Sequence, residues 1–250
     1  MLRSWPRPNR ALLDLLAIAA HPDDVELTCG GTLIKAARQG YRVGVLDVTA
    51  GEMGTRGSVE IRRREAERSA ALMGVALREN LGLPDAGIVN TPETRLLLGK
   101  VLRRLTPSIV IAPAPPPHGR HPDHRATSEL VRDACFIAGL RNADPSLPPH
   151  RPRKVVHCLT YREDYVKPTF VVDISDELET KLNAVACYES QFVGVTQSGE
   201  VYPTGEPLAD VLRHQAAHYG SLIRTRYGEP FLTTETMRVD DVVALQVSTF

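Results

Sequence analysis

Short apolar runs alternate with longer segments of helical periodicity along most of this chain. In the first half, the runs of strand length are residues 15–20, 42–49, 78–83 and 108–113. The helical segments that follow them are residues 32–39, 59–73, 91–105 and 125–140. Alternating strands and helices with short connections are typical of a parallel sheet with right-handed crossovers. The pattern predicts an α/β fold, a single Rossmann-like domain with a mostly parallel sheet flanked by helices.

The second half continues this pattern less regularly. Its predicted strands are residues 154–160 and 169–174, and its predicted helices are residues 175–188 and 207–226. On the last helix, His214 and His218 are one turn apart and suit either a pair of metal ligands or a structural face. We favour the structural face, because no acidic partner stands nearby. Residues 240–250 fit either a terminal strand or a contact between subunits.

Polar clusters follow the first and fourth predicted strands. They are His21-Pro22-Asp23-Asp24 and His121-Pro122-Asp123-His124. Pro122 fits the first position of a helix, which makes His121 the cap and places His124 in the first turn. If the two strands flank the topological switch point, His21, Asp24 and His124 meet at its edge. Either cluster alone is typical of a turn, but two imidazoles and a carboxylate together favour a zinc or ferrous iron site.

Length, charge and cysteine content narrow the class of protein. The 250 residues fit one domain, placed at residues 11–250 behind a mobile tail at residues 1–10. With 30 basic and 30 acidic residues, the charge does not favour nucleic acid or an anionic membrane surface as a partner. Asp14 interrupts the early apolar run, which argues against a signal peptide, and no segment reaches the length of a bilayer span. Four cysteines without a CxxC pair favour buried thiols in a reducing cytoplasm.

A glycine-rich loop, residues 50–58, follows the second predicted strand and carries Glu52 and Arg56. The guanidinium of Arg56 can reach the first cluster from this strand end and bind a carboxylate. The alternative is a solvated surface arginine. On the helix that follows, the charged side chains expected to lie mostly on a solvated face are Arg62, Arg63, Arg64, Glu65, Glu67 and Arg68.

The two clusters and several further segments resemble one enzyme family. The matching segments are residues 20–26, Gly30-Gly31, and residues 51–57, 79–85 and 121–124. They resemble the zinc-dependent N-acetylglucosaminyl deacetylases of the PIG-L/LmbE type, and the resemblance covers about residues 15–236. The segments that look like the branch serving bacillithiol biosynthesis are residues 134–140, 170–175 and 188–192.

The resemblance implies a metal-dependent hydrolase and assigns roles to its residues. It implies Zn2+, with Fe2+ as the other candidate, bound by His21, Asp24 and His124. Asp23 is implied as the base that takes a proton from water and later delivers it to the leaving amine. A protonated His121 is implied to stabilise the oxyanion of the tetrahedral intermediate.

The resemblance also implies roles for three further residues, a substrate and an oligomeric assembly. Asp123 is implied to hold the His121 imidazolium, while Arg56 and Glu52 are implied to bind the substrate. The branch implies N-acetyl-glucosaminyl-malate as the small-molecule substrate and a homo-oligomer of hexameric form. Two alternatives stay open. One is a deacetylase of another N-acetylglucosamine conjugate, such as an inositol glycoside or a chitin fragment, and the other is a non-catalytic metal-binding or sugar-binding protein.

The connector before the second cluster departs from one branch of the family. Mycothiol-type relatives carry a tyrosine where this chain has Gly119, so the role of that tyrosine is not carried over. The nearby His118 is expected to be a loop residue rather than a fourth metal ligand.

Overall fold

The computed structural model describes residues 12–116, 121–159, 166–192, 207–245 and 247, and these residues contain one seven-stranded sheet. The strands are β1 (Leu15–Ala19), β2 (Val43–Asp47), β3 (Leu77–Asn80), β4 (Ile109–Pro113), β5 (Lys154–Cys158), β6 (Phe170–Asp173) and β7 (Gly228–Leu232). The helices are α1 (Asp24–Arg38), α2 (Val59–Met73), α3 (Pro92–Leu105), α4 (Pro122–Ala138), α5 (Leu178–Ala186), α6 (Glu189–Phe192) and α7 (Leu208–Leu222). The predicted tail at residues 1–10, and also His118 and Gly119, lie outside the described residues.

The strand order is β3-β2-β1-β4-β5-β7-β6. Strands β1 to β5 pair in parallel, and β7 pairs antiparallel with both β5 and β6. β1 lies between β2 and β4, so the chain reverses its direction of travel across the sheet at this point. The α/β prediction is confirmed, and the carboxyl ends of β1 and β4 form the switch point where such sheets bind ligands.

Apolar side chains fill both faces of the sheet. On one face, Leu98 and Leu102 of α3 pack with Leu130 and Val131 of α4. The opposite face is covered by α1, α2 and α5. Among the described residues, no helix combines the length and apolar character needed to cross a membrane.

Helix α1 begins at Asp24, eight residues before the predicted start at Thr32, so the first cluster leads directly into a helix. Glycines disfavour helix interiors, which made Gly30-Gly31 resemble a helix start. Tertiary contacts override this preference. Glu229 of β7 accepts hydrogen bonds from the backbone N of Gly31 at 2.9 Å and of Thr32 at 2.7 Å. A Cβ on Gly31 would also lie 2.9 Å from Ile174, so only glycine fits here.

Strand β7 was not predicted at all. Its sequence, Gly-Glu-Pro-Phe-Leu, contains a glycine and a proline, both of which argue against a strand within a sheet. The structure places it between β5 and β6, where β6 pairs with it from Phe170 to Asp173. The alternative of a terminal strand at residues 240–250 is not observed in its described part, residues 240–245 and 247.

Candidate active site

The two polar clusters meet at the amino termini of α1 and α4. His21 lies two residues beyond β1, and His121 caps α4, whose first turn contains His124 as predicted. The Asp24 carboxylate lies between two imidazoles. Its Oδ2 is 3.3 Å from His21 Nδ1, and its Oδ1 is 3.1 Å from His124 Nε2. Oδ2 also accepts a hydrogen bond from the backbone N of His21 at 2.9 Å, which fixes the turn.

This arrangement fits a divalent cation. One ligand atom from each of His21, Asp24 and His124 lies within 4.8 Å of the other two. The three side chains are partly buried. Two imidazole nitrogens and one carboxylate oxygen are the donor set of catalytic zinc and of ferrous iron sites.

Asp23 has a backbone conformation that L residues rarely adopt, with φ 115° and ψ −28°. Such conformations cost about 1–3 kcal/mol and cluster at functional sites. Asp23 precedes α1 at the N-cap position, yet its side chain makes no capping hydrogen bond. Its Oδ2 lies 3.2 Å from Arg62 Nη2 instead. The strained backbone thus directs this carboxylate away from the helix end.

Arg62 of α2 is buried, contrary to the prediction of a solvated face. It donates hydrogen bonds to the carbonyl O of Gly51 at 2.9 Å and of Pro22 at 2.8 Å, in addition to its contact with Asp23. Gly51 has φ +70°, and a Cβ there would lie 2.0 Å from the Arg62 guanidinium. Glu65, one turn later, is also buried, whereas the charged residues Arg63, Arg64, Glu67 and Arg68 are exposed as predicted.

Asp85 is a site residue that the sequence analysis did not single out. Its Oδ1 lies 3.0 Å from His21 Nε2, and its Oδ2 accepts a hydrogen bond from the backbone N of Met53 at 2.9 Å. Its own backbone N donates to Glu52 Oε1 at 2.8 Å. Asp85 is the last residue of the segment 79–85, for which only the family resemblance was noted. The informative signal was its place just after a third parallel strand, at the edge where ligands bind.

Asp123 lies beside both His121, as predicted, and His21, with one ligand atom from each of the three residues within 4.8 Å of the others. Its Oδ2 accepts a hydrogen bond from the backbone N of Ala86 at 2.8 Å and lies 3.4 Å from His21 Nε2. His121 uses Nδ1 to accept a hydrogen bond from the backbone N of Asp123 at 3.2 Å. The Asp123 carboxylate therefore contacts His21, and its negative charge also acts on the neighbouring His121.

The chain is similar to known proteins over most of its length. The family described as PIG-L, GlcNAc-PI de-N-acetylase, matches residues 16–135. Diacetylchitobiose deacetylase of Thermococcus kodakarensis is 38% identical over 235 residues, which cover 89% of this chain and 83% of the relative. The chain belongs to the PIG-L/LmbE family.

Two further comparisons support this membership. A conserved protein from Thermus thermophilus has a crystal structure with a TM-score of 0.80 and 38% identity, covering 91% of this chain and 98% of that one. A probable N-acetyl-alpha-D-glucosaminyl L-malate deacetylase of Bacillus anthracis is 27% identical, covering 76% of this chain and 87% of the relative. The family assignment is confirmed, and the relatives come from more than one substrate branch.

Neighbouring charges shift the pKa values of the residues in this PIG-L/LmbE site. Burial by itself lowers the pKa of His21, but the charges of Asp24, Asp85 and Asp23 outweigh it and raise that pKa to about 9. Burial also lowers the pKa of His124, and Asp24 raises it above its ordinary value. Burial raises the pKa of Asp24, whereas the two imidazoles hold it well below its usual range. A group of carboxylates that attracts protons in this way also attracts a divalent cation.

The pKa of Asp23 is raised, whereas that of the neighbouring ligand Asp24 is lowered. The pKa of His121 is lowered, whereas those of His21 and His124 are raised. Burial, and then the charge of Asp24, raise the pKa of Asp23 to about 7, although Arg62 opposes the shift. Burial, and then the charges of His21 and His124, lower the pKa of His121. Both effects favour the neutral form of His121.

Three further residues singled out in the sequence are Arg56, His214 and His218. Arg56 is exposed on the glycine-rich loop, and its backbone O accepts a hydrogen bond from Gln191 Nε2 at 2.8 Å. Within the described part of the chain, the groups with metal-binding geometry include neither His214 nor His218. His214 and His218 are both exposed, and the ring of His218 lies 5.1 Å from that of Tyr219 between centroids.

Proposed function

We propose that the protein is a metal-dependent hydrolase that removes the N-acetyl group from an N-acetylglucosamine glycoside. The observation that carries this proposal is that His21, Asp24 and His124 lie close together beside Asp23. The backbone of Asp23 is strained, and its carboxylate does not cap helix α1. A protein that only binds metal has no need for that carboxylate beside its ligands. The same feature makes the non-catalytic alternative less favourable.

The reaction breaks the amide C–N bond and yields acetate and a free amine. His21, Asp24 and His124 would hold Zn2+, or Fe2+ as the other candidate. When bound, such an ion polarises the acetamide carbonyl and lowers the pKa of a water molecule toward neutrality. Asp23 takes the proton of the attacking water and returns it to the leaving amine. Arg62 keeps the Asp23 carboxylate in place during both transfers.

His121 suits a role in stabilising the oxyanion without being protonated. Because its Nδ1 accepts a hydrogen bond from the backbone N of Asp123, the proton of the neutral ring resides on Nε2. That N–H can donate to the negative oxygen of the tetrahedral intermediate. Asp123, which contacts His21, contributes by orienting this ligand.

We propose a diacetylchitobiose-type disaccharide as the first substrate to test. Its support is the relative from Thermococcus kodakarensis, which shares 38% identity over most of both chains. N-acetyl-glucosaminyl-malate is the second candidate, supported by the relative from Bacillus anthracis at 27% identity. Arg56 offers a guanidinium for the malate carboxylates, and Glu52 offers acceptors for sugar hydroxyls. A homo-oligomer, with a hexamer as its first candidate form, and a cytoplasmic location complete the proposal. All four cysteines are free thiols, which suits a reducing compartment.

Acetate release from a panel of glycosides tests both the chemistry and the substrate. The panel contains diacetylchitobiose, the malate and inositol conjugates of N-acetylglucosamine, and N-acetylglucosamine itself. We expect zinc-loaded protein to release acetate and EDTA-treated protein to lose at least about 100-fold of this rate, because the ion supplies several kcal/mol of transition-state stabilisation. Preference for the malate conjugate would reassign the substrate, and release from none of the glycosides would contradict the proposed enzyme.

Asp85→Asn is expected to weaken zinc binding by about 10–100-fold, because loss of an outer partner of a metal-ligating histidine has this effect. The asparagine keeps an oxygen for Met53 N but no longer attracts the His21 N–H with a full charge. The measurement is zinc affinity by competition with a chromophoric chelator. Glu79→Gln is the matched control, since Glu79 pairs with Arg104 on the surface. Equal affinities of the two variants would remove Asp85 from this role.

A further inference from the structure

The glycine-rich loop at residues 50–58 borders the proposed metal site. The backbone N of Met53 donates a hydrogen bond to Asp85 Oδ2 at 2.9 Å, and Asp85 Oδ1 lies 3.0 Å from His21 Nε2. A single carboxylate therefore links the loop to a proposed metal ligand. Residues 52–57 are all exposed, so the loop can contact the part of a substrate that extends away from the metal.

Helix α6 holds the other end of this loop. Gln191 Nε2 donates a hydrogen bond to the carbonyl O of Arg56 at 2.8 Å and lies 3.0 Å from Ser190 Oγ. Gly57 has φ +73°, and a Cβ there would lie 2.7 Å from Ser190 Oγ. The loop thus approaches α6 too closely to accommodate a side chain at position 57.

Two buried carboxylates fix the position of α6, which at four residues is too short to be stable alone. Glu65 of α2 is 3% exposed and accepts hydrogen bonds from Ser190 N and Ser190 Oγ, both at 2.7 Å. Tyr188, just before α6, is fully buried and donates from its hydroxyl to Glu26 Oε1 of α1 at 3.0 Å. These contacts give Gln191 a fixed place from which to hold the loop.

We propose that Ser190 and Gln191 are positioning residues that set the place of Arg56 and thereby the preference for the group attached to N-acetylglucosamine. Gln191 binds the backbone of Arg56, so it fixes where this side chain begins without itself contacting the substrate. A guanidinium held at this position favours glycosides whose second group carries carboxylates or hydroxyls over N-acetylglucosamine alone. The inference rests on the proposed function, in which Arg56 and Glu52 bind the substrate.

Two variants release the loop from opposite sides of this contact. Gln191→Met keeps the length of the side chain but removes the donor to Arg56, and Gly57→Ala introduces the close contact with Ser190. Each is expected to raise KM for the glycoside that the wild-type protein prefers by at least about tenfold, because hydrogen bonds to a charged group contribute factors of this size. The effects on kcat and on KM for N-acetylglucosamine are expected to be much smaller, since the loop acts on binding of the second group.

Each variant has a matched control. Glu189→Gln changes an exposed residue of the same helix, which pairs with Arg68 at 3.3 Å. Gly40→Ala imposes the same backbone strain as Gly57→Ala, since Gly40 has φ +85°, but a Cβ there meets nothing within 4 Å. Neither control is expected to alter KM for any of the glycosides.

Hydrogen exchange of residues 50–58, followed by mass spectrometry, reports on the loop without depending on activity. Faster exchange is expected in Gln191→Met and Gly57→Ala but not in the two controls. Unchanged exchange would overturn the inference, and so would an effect of equal size on N-acetylglucosamine and on the preferred glycoside. Wild-type protein that releases no acetate from any glycoside would instead contradict the proposed function.

Discussion

Asp23→Asn is expected to lower kcat by about 100-fold or more while the protein keeps its bound metal. The change preserves the size of the side chain and a contact with Arg62, but it removes the atom that accepts the proton of water. General base catalysis contributes about 10²–10⁴-fold, so the loss should fall in this range. The measurements are single-turnover acetate release and metal content by mass spectrometry of the same sample.

A control for this prediction is Asp210→Asn, on the first turn of α7. It makes the same chemical change outside the site and is expected to leave kcat unaltered. If Asp23→Asn binds zinc normally and retains wild-type turnover, another group is the base. If it loses both metal and turnover, Asp23 acts mainly in forming the metal site.

Arg62→Met is expected to reduce both turnover and stability. Arg62 bonds two backbone carbonyls and the Asp23 carboxylate, and only 6% of its side chain is exposed. Removing one partner of a buried pair costs about 3 kcal/mol or more, because the other groups are left without hydrogen bonds. For a chain of this size, such a loss lowers Tm by roughly 10 °C. We expect a drop in kcat of at least about tenfold, since Asp23 loses the group that positions it.

Arg63→Met separates this role from general effects of α2. Arg63 is the next residue and pairs with Glu60 and Glu67 on the exposed face, so its loss is expected to change neither Tm nor kcat. Arg62→Lys restores a positive charge without the planar fork and should recover stability better than turnover. An Arg62→Met protein with unchanged kcat would show that Asp23 does not depend on this contact.

The elements that the sequence predicted well are those with a strong local pattern. The first four strands and the helices α2, α3 and α4 follow from apolar periodicity. Pro122 correctly marked the start of α4. The start of α1 was predicted wrongly and β7 was missed, because neither has a strong local pattern. Their local residues disfavour the observed structure, and distant partners such as Glu229 and Ile174 stabilise it.

The site residues also fall into those that the local sequence predicts and those that depend on distant contacts. His21, Asp24 and His124 were predicted because their chemistry is local to two strand ends, and a parallel sheet brings such ends to one edge. The burial of Arg62 and the contacts of Asp85 and Asp123 with His21 were not predictable from spacing. Each depends on contacts between residues tens of positions apart in the chain.

The sequence by itself therefore determined the fold class, the family and the residue types of the candidate metal site. Tertiary structure alone decided which charged side chains are buried and which carboxylates contact which histidine. The physical reason is that periodicity and turn chemistry act over a few residues, whereas burial and electrostatic coupling arise only when distant segments pack together.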